Sequence, residues 1–141
     1  AILVYLAEKY GKFLPKDRTA RAKVNEWLMW QMGGFGPILG QAHHFLHFNP
    51  GKSDYAEERF RSEVARLYAV LDRRLEGRDY ICDDYSIVDM ACWPWVSRYE
   101  WQQVNLTAYP NVRSWYQRLL ARDAVQKGYQ VPKHVGKIPQ G

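Results

Sequence analysis

Residues 85–96, YSIVDMACWPWV, constrain this chain more than any other stretch. Ser86 and Asp89 have the spacing of a helix-opening capping box. The Ser86 hydroxyl accepts from the Asp89 backbone N–H, and the Asp89 carboxylate reaches back to the Ser86 N–H. Tyr85 and Met90 stand at the N′ and N4 positions of a hydrophobic staple. The segment is then apolar nearly all round, through Ile87, Val88, Met90, Ala91, Cys92, Trp93, Trp95 and Val96. A helix with no wet face belongs at the centre of a bundle. Asp89, the only charge in its first turn, complements the positive end of the helix dipole. Pro94 removes one donor inside the helix and bends it. The segment therefore predicts a buried central helix, and by itself it names no function.

At 141 residues the chain fits one domain, and a domain of that length buries roughly two-thirds of its unfolded surface. Aromatic residues make up 15%, with six Trp and ten Tyr, enough for large interlocking helix contacts or for a binding cleft. The two cysteines, Cys82 and Cys92, form no C-x-x-C pair and are too few for a disulfide scaffold, which points to a reducing, cytoplasmic setting. The net charge of +5 comes from Lys and Arg interleaved with Asp and Glu. That scatter argues against a nucleic-acid surface, which needs a basic stripe. No apolar run is long enough to span a membrane.

Periodicity reads as all-α throughout. AILVYLAEKYG is a helix already under way at the first residue, with Ile2, Leu3, Leu6 and Tyr10 at helical spacing and Gly11 as its stop. Its start without Met or a basic lead-in suggests a truncated chain rather than a secretory signal. Residues 12–18 form a linker. A long helix begins near Thr19, capped by Asp17 or Thr19, with Ala20, Val24, Trp27, Leu28 and Gln31 along one side. In MGGFGPILG the helix either kinks at Gly36-Pro37 or gives way to a second one, and its glycines allow another backbone or a ligand close. Ser53 or Asp54 opens the next helix, with Asp54 and Glu57 as a second capping box. Ala56, Phe60, Val64, Leu67, Leu71 and Leu75 form its stripe, and Gly77 ends it. Pro110 starts a further helix at N1, Asp123 a last short one, and the tail 130–141 is expected to be loosely held.

Three blocks together resemble the glutathione transferase family. AILVYLAEKYG is similar to the last helix of that family's thioredoxin-like domain, and YSIVDMACWPWV to its buried C-domain helix. WLMWQMGGFGPILGQAHHF and DYAEERF resemble the bacterial nu-class branch, whose members include glutathione-dependent disulfide-bond reductases. The resemblance runs to about Gln126. It implies a helical bundle over residues 19–129, preceded by the end of a thioredoxin-like domain (1–11), in a homodimer. It also implies that the Thr and Asn nearest the glutathione sulfur, and the Glu-Ser pair that grips the γ-glutamyl group, lie upstream of Ala1. No catalytic residue is then expected within the chain.

The same resemblance assigns glutathione contacts to Arg59 and Gln31. A guanidinium fork suits a carboxylate and stays charged at any working pH, whereas spacing alone makes Arg59 an exposed residue facing Glu63 one turn on and Gln31 an ordinary helix-surface residue. Phe35, Trp30 and Trp101 are the candidates for a pocket wall that takes a small disulfide or an apolar electrophile. Trp27, Trp93 and Trp95 read as core. His43, His44 and His47 form H-H-x-x-H, which puts His43 and His47 on one helix face at zinc-ligand spacing. His44 occupies the place of the Glu, no third ligand is evident, and packed histidines without metal are expected. Cys92 reads as a buried small hydrophobe, Cys82 as more exposed, and neither as a nucleophile. Two functions compete: the substrate-side domain of a glutathione-dependent reductase or transferase, and a non-catalytic interaction module of the same fold.

Overall fold

The computed structural model describes residues 1–133 and 136–141. In chain order the elements are α1 (Ile2–Tyr10), α2 (Arg18–Trp30), a first π-helical turn (Gln31–Phe35), α3 (Gly36–Ala42) and a second π-helical turn (His43–Phe48). Then come α4 (Asp54–Leu75), α5 (Ile87–Val96), two 3₁₀ turns (Tyr99–Gln102 and Leu106–Ala108), α6 (Pro110–Leu120) and α7 (Asp123–Tyr129). Among the described residues there is no strand. The all-α architecture follows the periodicity.

The 85–96 segment forms α5, and α1, α2, α3 and α6 all pack against it. Ile87, Val88, Cys92 and Val96 are buried on its faces, and Trp93 stacks on Tyr116 of α6 with ring centroids 5.3 Å apart. The capping box is formed. The Ser86 N–H donates to Asp89 Oδ2 at 2.9 Å and the Val88 N–H donates to Ser86 Oγ at 3.3 Å. The other carboxylate oxygen has work that spacing does not reveal. Asp89 Oδ1 accepts from the Ile81 N–H at 3.0 Å and from Trp115 Nε1 at 2.9 Å. One carboxylate thus joins the start of α5, the connector before it and α6. Burial raises the Asp89 carboxyl above the ordinary range, and these donors oppose the rise.

Neither expectation for the glycine-rich stretch describes it fully. The backbone stays right-handed helical at Gly36, with φ −59° and ψ −53°. Just ahead of Pro37 the Gly36 N–H reaches Gln31 O, five residues back. A π turn widens the helix there, so the proline enters without ending it. The close approach that glycine permits is to α5: a Cβ on Gly36 would lie 3.2 Å from Trp95 Cε2, and one on Gly40 3.7 Å from the same ring.

Helix α4 opens on Ser53, whose Oγ accepts from the Ala56 N–H at 3.3 Å. The Asp54–Glu57 capping box is therefore corrected. With Ser53 as N-cap, Glu57 falls one residue past N3, and its carboxylate accepts from the Gly51 N–H at 2.5 Å and from Arg61 at 3.0 Å. The predicted stripe is buried at Val64, Leu67, Leu71 and Leu75, joined by Tyr68. Gly77, at φ +66°, follows the helix end in the left-handed region. At the Pro110 start of α6 the cap comes from another helix: Asp72 Oδ1 of α4 accepts from the N–H groups of Asn111 (2.9 Å) and Val112 (3.0 Å).

Residues 136–141 of the tail make contacts with the bundle. Tyr116 OH donates to Pro139 O at 2.7 Å, Arg113 donates to Gly141 O at 3.4 Å, and the Gly141 N–H donates to Tyr99 OH at 3.3 Å. Ile138 packs on the core beneath. The α6 surface supplies partners that Pro and Gly content does not announce. Tyr116→Phe is expected to cost about 1 kcal/mol, one ordinary hydrogen bond, and to speed proteolytic trimming of the tail while α6 stays protected in hydrogen exchange.

Candidate functional site

The groove that contains Arg59 is built by α3 and the first turns of α4. Ile38, Tyr55, Glu58, Arg59, Phe60 and Glu63 line it, with Ser62 and Arg66 at its edge, around a volume of about 610 Å³. Phe60 fixes the wall from below, stacked on Phe45 of the second π turn at 5.4 Å and 16° between planes. Arg59 is exposed. The expected pairing of Arg59 with Glu63 is corrected, because Arg66 takes that carboxylate through two bonds of 2.9 Å and 2.6 Å. Hydrogen bonding from Arg66 lowers the Glu63 carboxyl, and the charge of Arg59 adds to the effect. Among the described residues Arg59 has no hydrogen-bonded or ion-paired partner. A free guanidinium over an apolar wall can take a carboxylate with both arms of its fork.

The other candidates fall elsewhere. Gln31 is not a surface residue: it is 4% exposed, and its Oε1 is buried without a hydrogen-bond partner. Phe35 is fully buried and stacked on Trp30 at 4.8 Å. The π turn rotates it inward, under Tyr68. Trp30, half-buried, makes an edge contact with Trp27 on its other side. Trp101 lies in a separate aromatic group, stacked on His47 at 4.5 Å and 5°, with the Arg98 guanidinium 4.7 Å from its ring centroid. None of these four lines the Arg59 groove. His43 Nε2 is within 3.0 Å of Gln102 Nε2, and among the described residues no group of three or more His, Cys, Asp or Glu side chains could hold a metal ion. Cys82 is buried, against the expectation of greater exposure, because Ile81 and Asp89 draw its connector into the core. Burial raises both thiols, Cys92 the more, so both are held as thiols rather than reactive thiolates.

A second cavity, of about 650 Å³, opens between α5 and α7. Met90, Trp93, Pro94 and Val125 give it apolar walls, and Arg98 and Arg122 stand at its border. Arg122 lies over the Tyr85 ring at 3.9 Å and Arg98 over Tyr129 at 5.2 Å. Tyr129 OH and Arg122 Nε are buried there without hydrogen-bond partners. Sequence spacing gave no notice of this cavity, since its walls come from segments far apart in the chain.

Comparison with known proteins accounts for this architecture. Residues 35–123 match the family model of the glutathione S-transferase C-terminal domain. Disulfide-bond oxidoreductase YfcG of Escherichia coli K12 is 49% identical over 125 residues, covering 88% of this chain and 58% of that protein. Disulfide-bond oxidoreductase YghU of the same organism is 37% identical over 147 residues, covering 98% and 51%. A Burkholderia graminis glutathione transferase, solved with two glutathione molecules per subunit, superposes with a TM-score of 0.87 at 38% identity, covering 94% of this chain and 59% of that one. A Pseudomonas putida glutathione transferase, solved with one glutathione disulfide per subunit, gives 0.86 at 40% identity, covering 93% and 60%. The chain spans roughly half to three-fifths of the length of these relatives. With its capping-box helix α5 at the centre of the bundle and the family model matched across that bundle, the chain belongs to the glutathione S-transferase family as its C-terminal domain.

Proposed function

We propose that this chain supplies the helical wall of the active site in a glutathione-dependent disulfide-bond reductase, with Arg59 binding a carboxylate of glutathione. The observation that carries this reading is the uncommitted Arg59 guanidinium beside Ile38 and Phe60, its neighbour Glu63 already held by Arg66. The relatives named as disulfide-bond oxidoreductases support the reaction class, and the neighbours solved with glutathione or glutathione disulfide support the ligand. In this reading the chain contributes no thiol of its own, in keeping with two buried, unreactive cysteines; glutathione is the thiol that attacks the disulfide. Gln31, Trp30, Phe35 and Trp101 are proposed as pocket-side residues outside the Arg59 groove. A homodimer belongs to the same reading, and exposed large apolar side chains such as Met29, Met32 and Tyr55 are available to an interface. A reducing, cytoplasmic location belongs to it as well, since two cysteines are too few for a disulfide scaffold.

Arg59→Ala in the full-length protein is expected to weaken glutathione binding about tenfold or more, since a hydrogen bond to a charged group is worth about 1.5–3 kcal/mol. Arg59→Lys keeps the charge without the fork and should recover only part of the loss. Isothermal titration with glutathione measures both, and unchanged affinity in Arg59→Ala overturns the assignment. An interaction module without catalysis is distinguished by a reductase assay with a small disulfide, in which it would show no turnover.

A further inference from the structure

Hydrogen bonding around Gln102 leaves one arrangement of protons. Gln102 is 1% exposed. Its Oε1 accepts from Tyr68 OH at 2.7 Å, and its Nε2 donates to the Trp95 carbonyl at 2.8 Å. The remaining amide hydrogen faces His43 Nε2 at 3.0 Å. Turning the amide over would press Oε1 against the Trp95 carbonyl, two acceptors with no hydrogen between them. An amide nitrogen donates and does not accept. His43 Nε2 must therefore accept, which places the single ring proton on Nδ1.

We propose that His43 is a tautomer-locked acid latch: neutral and protonated on Nδ1, it ties the second π turn (His43–Phe48) to the 3₁₀ turn Tyr99–Gln102, and its protonation undoes the tie. A proton on Nε2 would set N–H against N–H in a contact that Tyr68 and Trp95 hold fixed from the other side. No carboxylate is among the groups acting on His43; the facing 3₁₀ turn carries Glu100, which is exposed. His47 faces it from its own turn and Arg98 from the end of α5, both cationic when charged. Helix α4 presents Tyr68, through Gln102, and the Glu57–Arg61 pair, whose arginine is spent on Gln103 at 3.0 Å. Helix α3 carries no charged side chain. The rings of Trp95 and Trp101 lie beside the half-buried imidazole, at 5.8 Å and 5.4 Å. Burial first, then His47 and Arg98, hold His43 down to about 4 from an ordinary 6.5. The sign follows: the unfolded chain binds this proton more readily, so the latch is intact above about 6.5 and its stability is lost as pH falls towards 4.

The test is nitrogen-detected NMR of the histidine side chains of the full-length protein at neutral pH, followed by an acid titration monitored by NMR and tryptophan emission. His43 is expected to show a protonated Nδ1 and a bare Nε2 at neutral pH, and to change together with emission between pH 5 and 4 (about the window set by its lowered affinity). His43→Gln keeps an acceptor for the Gln102 amide but cannot titrate, and it should move the midpoint of the emission change to lower pH. A protonated Nε2 at neutral pH, or titration of His43 near 6.5, overturns the proposal from the wild-type protein alone. An unmoved midpoint in His43→Gln overturns the latch even where the tautomer is as described.

Discussion

Asp89→Ala is expected to lower the unfolding free energy by about 3–5 kcal/mol, the range for breaking a buried polar network. The carboxylate is 0% exposed and meets donors from three parts of the chain: the Ser86 N–H, the Ile81 N–H and Trp115 Nε1. Alanine leaves all three without partners where water does not reach, each at about 1–3 kcal/mol. The sum overshoots, since removing Asp89 also relieves the cost of keeping a carboxylate buried, which already raises its pKa. Asp89→Asn keeps one carbonyl oxygen for Ile81 and Trp115 but turns an NH₂ towards the Ser86 N–H, and should cost about 1–2 kcal/mol. Urea unfolding with an unchanged m-value is the measurement. A loss below about 1 kcal/mol in Asp89→Ala would show that solvent or relaxed side chains satisfy these donors. A double-mutant cycle with Trp115→Phe isolates the link to α6, with an expected coupling of about 1 kcal/mol or more.

The second large effect separates two glycines one turn apart. Gly36→Ala is expected to destabilise the domain by about 1–3 kcal/mol, the usual cost of overpacking, whereas Gly40→Ala should stabilise it by up to about 1 kcal/mol from helix propensity alone. A Cβ at Gly36 would stand 2.7 Å from Gln31 Nε2, 3.2 Å from Trp95 Cε2 and 3.3 Å from Gln31 O. The Gln31 amide is the flexible member of that set, but it is buried, so it cannot swing into water. At Gly40 the nearest atoms are those of the Trp95 ring at 3.7 Å, ordinary contact. Both positions are helical, so the propensity gain is shared and the difference reports the clash. Thermal unfolding of the two variants measures it, and equal shifts would mean that α3 and α5 are free to separate at Trp95.

Much of the bundle was legible because helix signals are local. The Ser86–Asp89 pair, the stripe from Val64 to Leu75, Gly77 and Pro110 each act within a few residues of themselves, and each is found where its spacing put it. The errors arise where a second segment competes. Glu57 left its expected box for Gly51, and Cys82 was drawn inward with Ile81. The candidate site was less legible. Arg59 was singled out through a family resemblance rather than from spacing, which favoured a pair with Glu63 that Arg66 has taken. The burial of Phe35 was not legible, because the π turn that carries it packs against Trp30 and Tyr68, contacts that local spacing does not announce.

By itself the sequence determined that this chain is helical, which helix is central, and where most helices begin and end. These follow from hydrogen bonds and apolar spacing over three or four residues, distances at which the chain is its own environment. Only the tertiary structure decided that the Asp89 carboxylate joins three segments, that Asp72 caps a helix not its own, that glycine at 36 serves a tryptophan of α5, and that Arg59 is left free. Those outcomes depend on which distant donor, ring or carboxylate arrives first at a group that could have been satisfied in several ways, and that competition is settled by packing.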